Sequence, residues 1–152
     1  MDNLVELVFG TYPSWSHLVV RLVLGIVFFA HGAQKVFGWF GGRGLSATIG
    51  GFRQMHIPPA ATVLAAFTEC FGGLAMIVGF LARPAGVGLV VVMLVAIAKV
   101  HGPNGLFLNM MMTPGKGHGY EFNLALIAMA LSIVIGGAGL LSIDRIIAPL
   151  GN

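Results

Sequence analysis

Eight polar side chains interrupt four long apolar stretches of the chain, and together they offer the donors, acceptors and titratable protons that ligand binding and acid–base chemistry need. Imidazole, ammonium and carboxyl groups can exchange protons with a bound molecule, and amides can hold it by hydrogen bonds. The eight residues are His31, Gln34, Lys35, Glu69, Lys99, His101, Glu121 and Asn123.

The surroundings of these side chains are those of a membrane protein. Hydrophobic residues make up 57% of the 152 residues and charged residues only 9%, whereas about 25% of a soluble globular chain is charged. The composition predicts a single all-α integral membrane domain over residues 1–152, in contact with the lipid bilayer. The net charge of +3 is spread along the chain without a basic run, so no nucleic-acid partner is expected.

The apolar stretches are long enough to cross a bilayer. A helix rises about 1.5 Å per residue and a hydrocarbon core is about 30 Å thick, so about 20 apolar residues make one span. The stretches predict four spans, at about 17–39, 60–81, 84–100 and 120–140. Because the turn at Arg83 between the second and third spans is very short, we expect an antiparallel four-helix bundle.

Alternating spans divide the connecting segments between two sides of the membrane. Side A holds the N-terminus, the turn at Arg83 and the C-terminal tail, and side B holds residues 40–59 and 101–119. The side B loops are long, rich in glycine and unusually apolar, so they are expected to lie in the membrane interface or to fold over the mouth of the bundle. The run Met110–Met112 is interpreted as soft apolar filler in preference to thioether ligands for copper.

The eight side chains all fall in the half of the bundle nearest side B. His31 and Lys35 are four residues apart and share one helix face, and His31 lies roughly 12 Å deep at about 1.5 Å per residue. Glu69 reaches a similar depth on the second span, and the two carboxylates and two ammonium groups of the set can nearly neutralise one another. A charge inside a bilayer costs several kcal/mol unless it is paired or wet, which predicts a buried polar pocket that opens towards side B.

Within this pocket Glu69 and His31 are the candidate catalytic groups, because a carboxyl and an imidazole can exchange protons. The other six residues are candidate ligand-binding groups. Two simpler interpretations stay open: the side chains only satisfy one another as polar glue between helices, or Lys99, His101 and Glu121 face lipid headgroups. His31, His101, Glu69 and Glu121 are of types that could bind a metal together, but no HxxxH or ExxH spacing occurs on one helix, so no metal is predicted.

The remaining polar residues are expected outside the pocket. Arg21 lies near side A, where a long side chain can snorkel to the interface. His17 is expected at the interface, and His56 and His118 are expected in solvent. The single cysteine, Cys70, cannot form an intrachain disulfide or a CxxC pair, and it is interpreted as a small apolar packing residue.

Several segments of the chain resemble the DoxX family of small four-helix membrane proteins. The matching fragments are RLVLGIVFFAHGAQKVFGWFGG, ECFGGLAMIVGFLARPAG, KVHGPNGLF, GYEFNLALIAMAL and GGAGLLSID. They follow in order over nearly the whole chain, from Arg21 to Asp144. The patterns HGxxK, ExxGG and GxGxxSxD within them are weak individually and specific together.

The resemblance implies a multi-pass protein of the bacterial cytoplasmic membrane, with both termini in the cytoplasm, that is associated with redox work. Relatives in that family include the DoxD-type subunit of thiosulfate:quinone oxidoreductase and a membrane oxidoreductase complex tied to thiol and superoxide defence. The resemblance also implies that seven residues occupy the family's recurring polar positions: Arg21, His31, Lys35, Glu69, His101, Glu121 and Asp144.

Two hypotheses of different classes follow. In the first, the protein is a quinone-binding membrane subunit of an oxidoreductase, in which His31 and Lys35 donate hydrogen bonds and Glu69, with Glu121 nearer the surface, relays protons. In the second, it is a non-catalytic anchor or assembly subunit whose side B loops dock a soluble redox partner. A small-solute or proton transporter is a third and weaker hypothesis, because no broken helix is evident within the spans.

Overall fold

Helices provide nearly all the regular secondary structure of the computed structural model, which describes residues 2–150. In chain order they are α1 (Asp2–Phe9), α2 (Trp15–Val36), α3 (Gly44–Gln54), α4 (Pro59–Val78), α5 (Ala82–Ala96), α6 (Glu121–Gly136) and α7 (Ile143–Ile147). Over the residues described, β-type pairing is limited to an isolated bridge between Thr11 and Pro149. The predicted all-α class is confirmed.

Within residues 2–150, three helices are long and apolar enough to cross a membrane: α2, α4 and the helix that runs from Ala82 to Asn104. The fourth, α6, has 16 residues, which is roughly 24 Å at about 1.5 Å per residue. It ends at Gly136 because Gly137 and Gly139 adopt positive φ angles of 80° and 75°, a conformation outside the right-handed helix. The helix expected to reach residue 140 is therefore shorter than predicted.

The helix that starts as α5 does not end as a regular α-helix. After Ala96 the backbone continues as a π-helical turn over Ile97–His101 and a 3₁₀ turn over Gly102–Asn104. Turns of the π type are rare and occur frequently at functional sites. This one contains Lys99 and His101, two of the predicted ligand-binding residues.

The apolar core lies between α2, α4, α5 and α6. Its buried members come from these helices and from the segment after α6: Leu24, Phe28, Met76, Ala82, Leu89, Met93, Leu126, Ala130, Ile133 and Ala138. Apolar side chains also cover the outer faces of the same helices, among them Val19, Val23, Ile26, Val87, Val91 and Leu94. A helix that is apolar on every face is typical of a membrane span.

Arg21 organises the side A end of these helices. Its side chain is only 1% exposed, and all three guanidinium nitrogens donate to backbone carbonyl oxygens. The acceptors, at 2.6–3.2 Å, belong to Met76, Ile77, Ala138, Leu140 and Leu141. Two of these carbonyls lie in the last turn of α4 and three follow α6, so one side chain joins three segments of the chain.

The expectation that Arg21 snorkels to the interface is wrong. The last carbonyl oxygens of a helix lack intrahelical partners, and the guanidinium meets such oxygens inside the protein. A planar group with five N–H donors suits this cluster of acceptors. The charge is therefore satisfied where it lies and does not need to reach water.

Asp144 completes the same end of the protein. Its carboxylate accepts hydrogen bonds from the backbone N–H groups of Leu81 and Ala82, at 2.8 and 2.9 Å, where α5 begins. Burial raises the pKa of Asp144, and the two N–H donors together with Arg21 and Arg83 oppose that rise. The turn between α4 and α5 is thus fastened to α7.

Replacing Arg21 by lysine tests the clamp that the Arg21 guanidinium forms with the five backbone carbonyl oxygens. Arg21→Lys keeps the positive charge but loses the planar fork of donors, so we expect a loss of about 3 kcal/mol and a lower unfolding midpoint in detergent. Arg53→Lys is the matched control, because Arg53 is exposed on α3. Equal unfolding midpoints for the two variants would contradict the clamp.

Candidate functional site

Glycines allow α2 and α4 to approach until their backbones touch. A Cβ atom added at Gly32 would collide with the backbone of Cys70, and one added at Gly73 would collide with the backbone of Phe29. The pairing of Gly32 with Cys70, and of Phe29 with Gly73, shows that the two helices run antiparallel. Small residues at such positions are the usual means by which membrane helices pack closely.

The Lys35 ammonium and the Glu69 carboxylate form an ion pair across this helix contact. Lys35 follows Gly32 by three residues and Glu69 directly precedes Cys70, so the glycine contact brings the two charges together. The ammonium donates to both carboxylate oxygens. The Glu69 side chain is 4% exposed and the Lys35 side chain 26%, and the Phe52 ring lies over the ammonium, with 5.9 Å between Nζ and the ring centroid.

The ion pair forms part of the wall of a cavity of about 850 Å³. Helices α2 to α6 and the loop before α6 (residues 105–120) all contribute to the wall, and most of the side chains in the wall are apolar. The structure brings six of the eight predicted site residues to this cavity: His31, Lys35, Glu69, Lys99, His101 and Asn123. The volume falls within the range of about 300–1,000 Å³ that is typical of small-molecule sites.

The polar side chains of the wall differ in whether other groups of the protein pair with them. Glu69 is neutralised by Lys35, whereas Lys99 is exposed and forms no ion pair with the residues that the structure describes. His31 is exposed on α2 and has no hydrogen-bonding partner within residues 2–150, so both ring nitrogens are available to a ligand. An apolar cavity with these groups in its wall can hold the polar head of an otherwise apolar molecule.

Gln34 and Glu121 do not line the cavity. The Gln34 amide nitrogen donates to the carbonyl oxygen of Phe40 at 3.0 Å, which fixes the loop after α2. A Glu121 carboxylate oxygen accepts the backbone N–H of Leu108 at 2.7 Å, which fixes the loop before α6. Both residues therefore hold side B loops in place. These contacts could not be predicted, because their partners are backbone groups of the loops, which residue type and spacing do not reveal.

His118 is exposed, as expected from the sequence, but it also lines the cavity, a place that the sequence did not indicate. Its Nδ1 accepts the backbone N–H of Asn109 at 3.3 Å, so the neutral ring carries its proton on Nε2. His101 has the other tautomer, because its Nδ1 lies 2.9 Å from the carbonyl oxygen of His118 and has to donate. The feature of the sequence that could have indicated the pairing of these two histidines is a His-Gly dipeptide at each end of the segment between α5 and α6, His101–Gly102 and His118–Gly119.

Two comparisons relate the chain to known proteins. The family model described as DoxX matches residues 16–102. The "Putative oxidoreductase CatD" of Bacillus subtilis (strain 168) is 26% identical over 127 residues, which cover 84% of this chain and 83% of that protein. No solved structure matches the chain.

Replacing Gly32 by alanine tests the close contact that aligns Lys35 with Glu69. The added methyl group has to displace the backbone at Cys70, so we expect Gly32→Ala to lose about 1–3 kcal/mol of stability, measured by unfolding in detergent. Gly50→Ala is the matched control, because a Cβ atom there meets nothing within 4 Å and alanine favours the helix. If Gly32→Ala proved as stable as Gly50→Ala, the helices would not touch at this point.

Proposed function

Because the chain belongs to the DoxX family, we propose that it is a membrane subunit of a redox system and that its cavity binds a quinone-like molecule. The family, and the 26% identical relative whose name includes "oxidoreductase", support the redox-associated role. The proposal of a quinone rests on one observation, a largely apolar cavity whose wall contains an ion pair between the buried Glu69 and the partly exposed Lys35.

The side chains of the cavity fit a quinone. A quinone head has carbonyl oxygens that need hydrogen-bond donors, and its ring and tail are apolar. The Lys35 ammonium and the His31 imidazole are donors on one face of α2, and Lys99 and Asn123 add donors from two other elements. Apolar side chains supply most of the remaining wall.

A bound quinone supplies two-electron, two-proton redox chemistry, with the electrons exchanged with another subunit of the complex. In this role Glu69 and His31 take up and release the protons, because a carboxyl and an imidazole exchange protons readily. Lys35 holds the Glu69 carboxylate at the wall of the cavity. His101 and His118 line the cavity where it meets the side B loop, and His118 is exposed, so in this role they pass protons between the cavity and water.

The proposed setting is the bacterial cytoplasmic membrane. There α2, α4, α5 and α6 form an antiparallel four-helix bundle, in which residues 137–141 extend the short α6 across the remaining depth. Three membrane-length helices and the family support this arrangement. Side A, with both termini, faces the cytoplasm, and the glycine-rich loops of side B lie on the opposite side of the membrane.

A second function, as a non-catalytic anchor of a redox complex, is favoured by the surface of the loop before α6. Four of its apolar side chains are more than 70% exposed: Phe107, Met110, Met111 and Met112. The loop is nevertheless well formed, because the Asn109 amide bonds to the backbone at Thr113 and Lys116 at 2.8–3.0 Å. Methionine-rich surfaces adapt to partners, so this loop is suited to docking another subunit.

Variants of the ion pair separate the two functions. Lys35→Met leaves the Glu69 carboxylate buried without a partner, so we expect it to lose about 3–5 kcal/mol of stability. Lys35→Met combined with Glu69→Leu removes both charges, and we expect unfolding in detergent to show most of that stability regained. If the protein binds a quinone through this ion pair, the redox complex that contains the folded double variant loses activity. If that complex keeps full activity, the protein is a non-catalytic anchor.

Direct titration tests the quinone itself. We expect the purified protein to bind a short-chain quinone, measured by calorimetry in detergent, and His31→Ala to weaken binding roughly tenfold, as the loss of one hydrogen bond of about 1.4 kcal/mol would. His56→Ala is the control, because His56 is exposed and outside the cavity wall. A wild-type protein that binds no quinone would overturn the quinone part of the proposal.

A further inference from the structure

Helices α4 and α5 touch near their middle and part towards side B. A Cβ atom at Gly72 would lie 3.3 Å from Leu89, and one at Gly88 would lie 3.0 Å from Thr68. Nearer side B, residues of both helices line the cavity: Ala61, Leu64 and Ala65 of α4, and Val91, Val92 and Val95 of α5. The two helices are therefore the sides of a gap that narrows at Thr68 and Gly88.

The gap opens onto the outer surface of the helices. Leu64, Val91 and Val95 line the cavity, yet they are 70%, 53% and 47% exposed. Side chains that both line a cavity and are about half exposed lie at its mouth. Because these positions fall inside two helices that are long and apolar enough to cross a membrane, we expect the mouth to face lipid when the protein lies in a bilayer.

The loop before α6 lies over the side B end of the cavity. Leu108, His118 and Gly119 of this loop line the cavity. The loop is fastened by hydrogen bonds from the Gly119 N–H to the carbonyl oxygen of Phe107 at 3.1 Å and from the Leu108 N–H to the Glu121 carboxylate at 2.7 Å. A molecule dissolved in the lipid therefore has a more direct route into the cavity than one dissolved in water.

We propose that the gap between α4 and α5 is a lateral opening, through which the ligand enters from the lipid and in which its apolar tail remains. This inference rests on the proposed function, because it takes the Lys35–Glu69 end of the cavity as the site of the polar head. From Thr68 to Ala61 the mouth of the gap extends along α4 for roughly 10 Å, which lets an isoprenoid tail leave the cavity sideways into the lipid. The ligand class is accordingly a quinone with a long tail.

A bulky side chain at the opening tests this route. Val91→Trp obstructs the gap, and Val87→Trp is the matched control, because Val87 is 51% exposed one turn earlier on α5 and does not line the cavity. Affinity is measured for a quinone with an isoprenoid tail and for the same ring without a tail. We expect Val91→Trp to weaken the tailed quinone about tenfold or more and the tailless one less than about twofold, and Val87→Trp to change neither.

The possible outcomes distinguish the opening from the site. An unchanged affinity of Val91→Trp for the tailed quinone, or an equal loss for both quinones, would overturn the lateral opening and leave the proposed function standing. A wild-type protein that binds neither quinone would overturn the proposed function and this inference with it. If Val91→Trp does not fold, Leu64→Trp repeats the test on α4, with the exposed Leu74 outside the cavity wall supplying the control Leu74→Trp.

Discussion

A charged group inside a bilayer is stable only when other groups of the protein satisfy it, and both ends of these helices are organised by that requirement. At side A the Arg21 guanidinium is held by five carbonyl oxygens. Nearer side B the Lys35 and Glu69 side chains satisfy each other. The two arrangements have different consequences. The carbonyl oxygens around Arg21 carry no titratable proton, so this arrangement has only a structural role. The ion pair instead places two titratable groups in the wall of a cavity.

Helices α2 and α4 connect these two arrangements. Arg21 and Lys35 both belong to α2, 14 residues (35 − 21) or roughly 21 Å apart along the helix. α4 supplies a partner to each, the carbonyl oxygens of its last turn to Arg21 and Glu69 to Lys35. Glycines bring the two backbones into contact between these points, so both interactions belong to the same close-packed pair of helices. α5 and α6 then complete the cavity against this pair.

The features that could be predicted from the sequence are those that depend on local pattern. The all-α class, the three long apolar helices and six polar residues of the cavity wall follow from hydropathy and from spacings of three or four residues. The burial of Arg21 does not, because its acceptors are backbone oxygens 55 to 120 residues away, which no residue type marks. The loop contacts of Gln34, Glu121 and His118 could not be predicted either, because their partners are also backbone groups, although these lie only 6 to 13 residues away.

Mass spectrometry of the lipid-soluble molecules that co-purify with the protein in native membrane discs is the most direct test of whether the charged end of the cavity holds a quinone. We expect a stoichiometric quinone with the wild-type protein and its loss from a folded protein that carries both Lys35→Met and Glu69→Leu. No quinone with the wild-type protein, or equal amounts with the two proteins, would show that the charged end of the cavity does not hold a quinone.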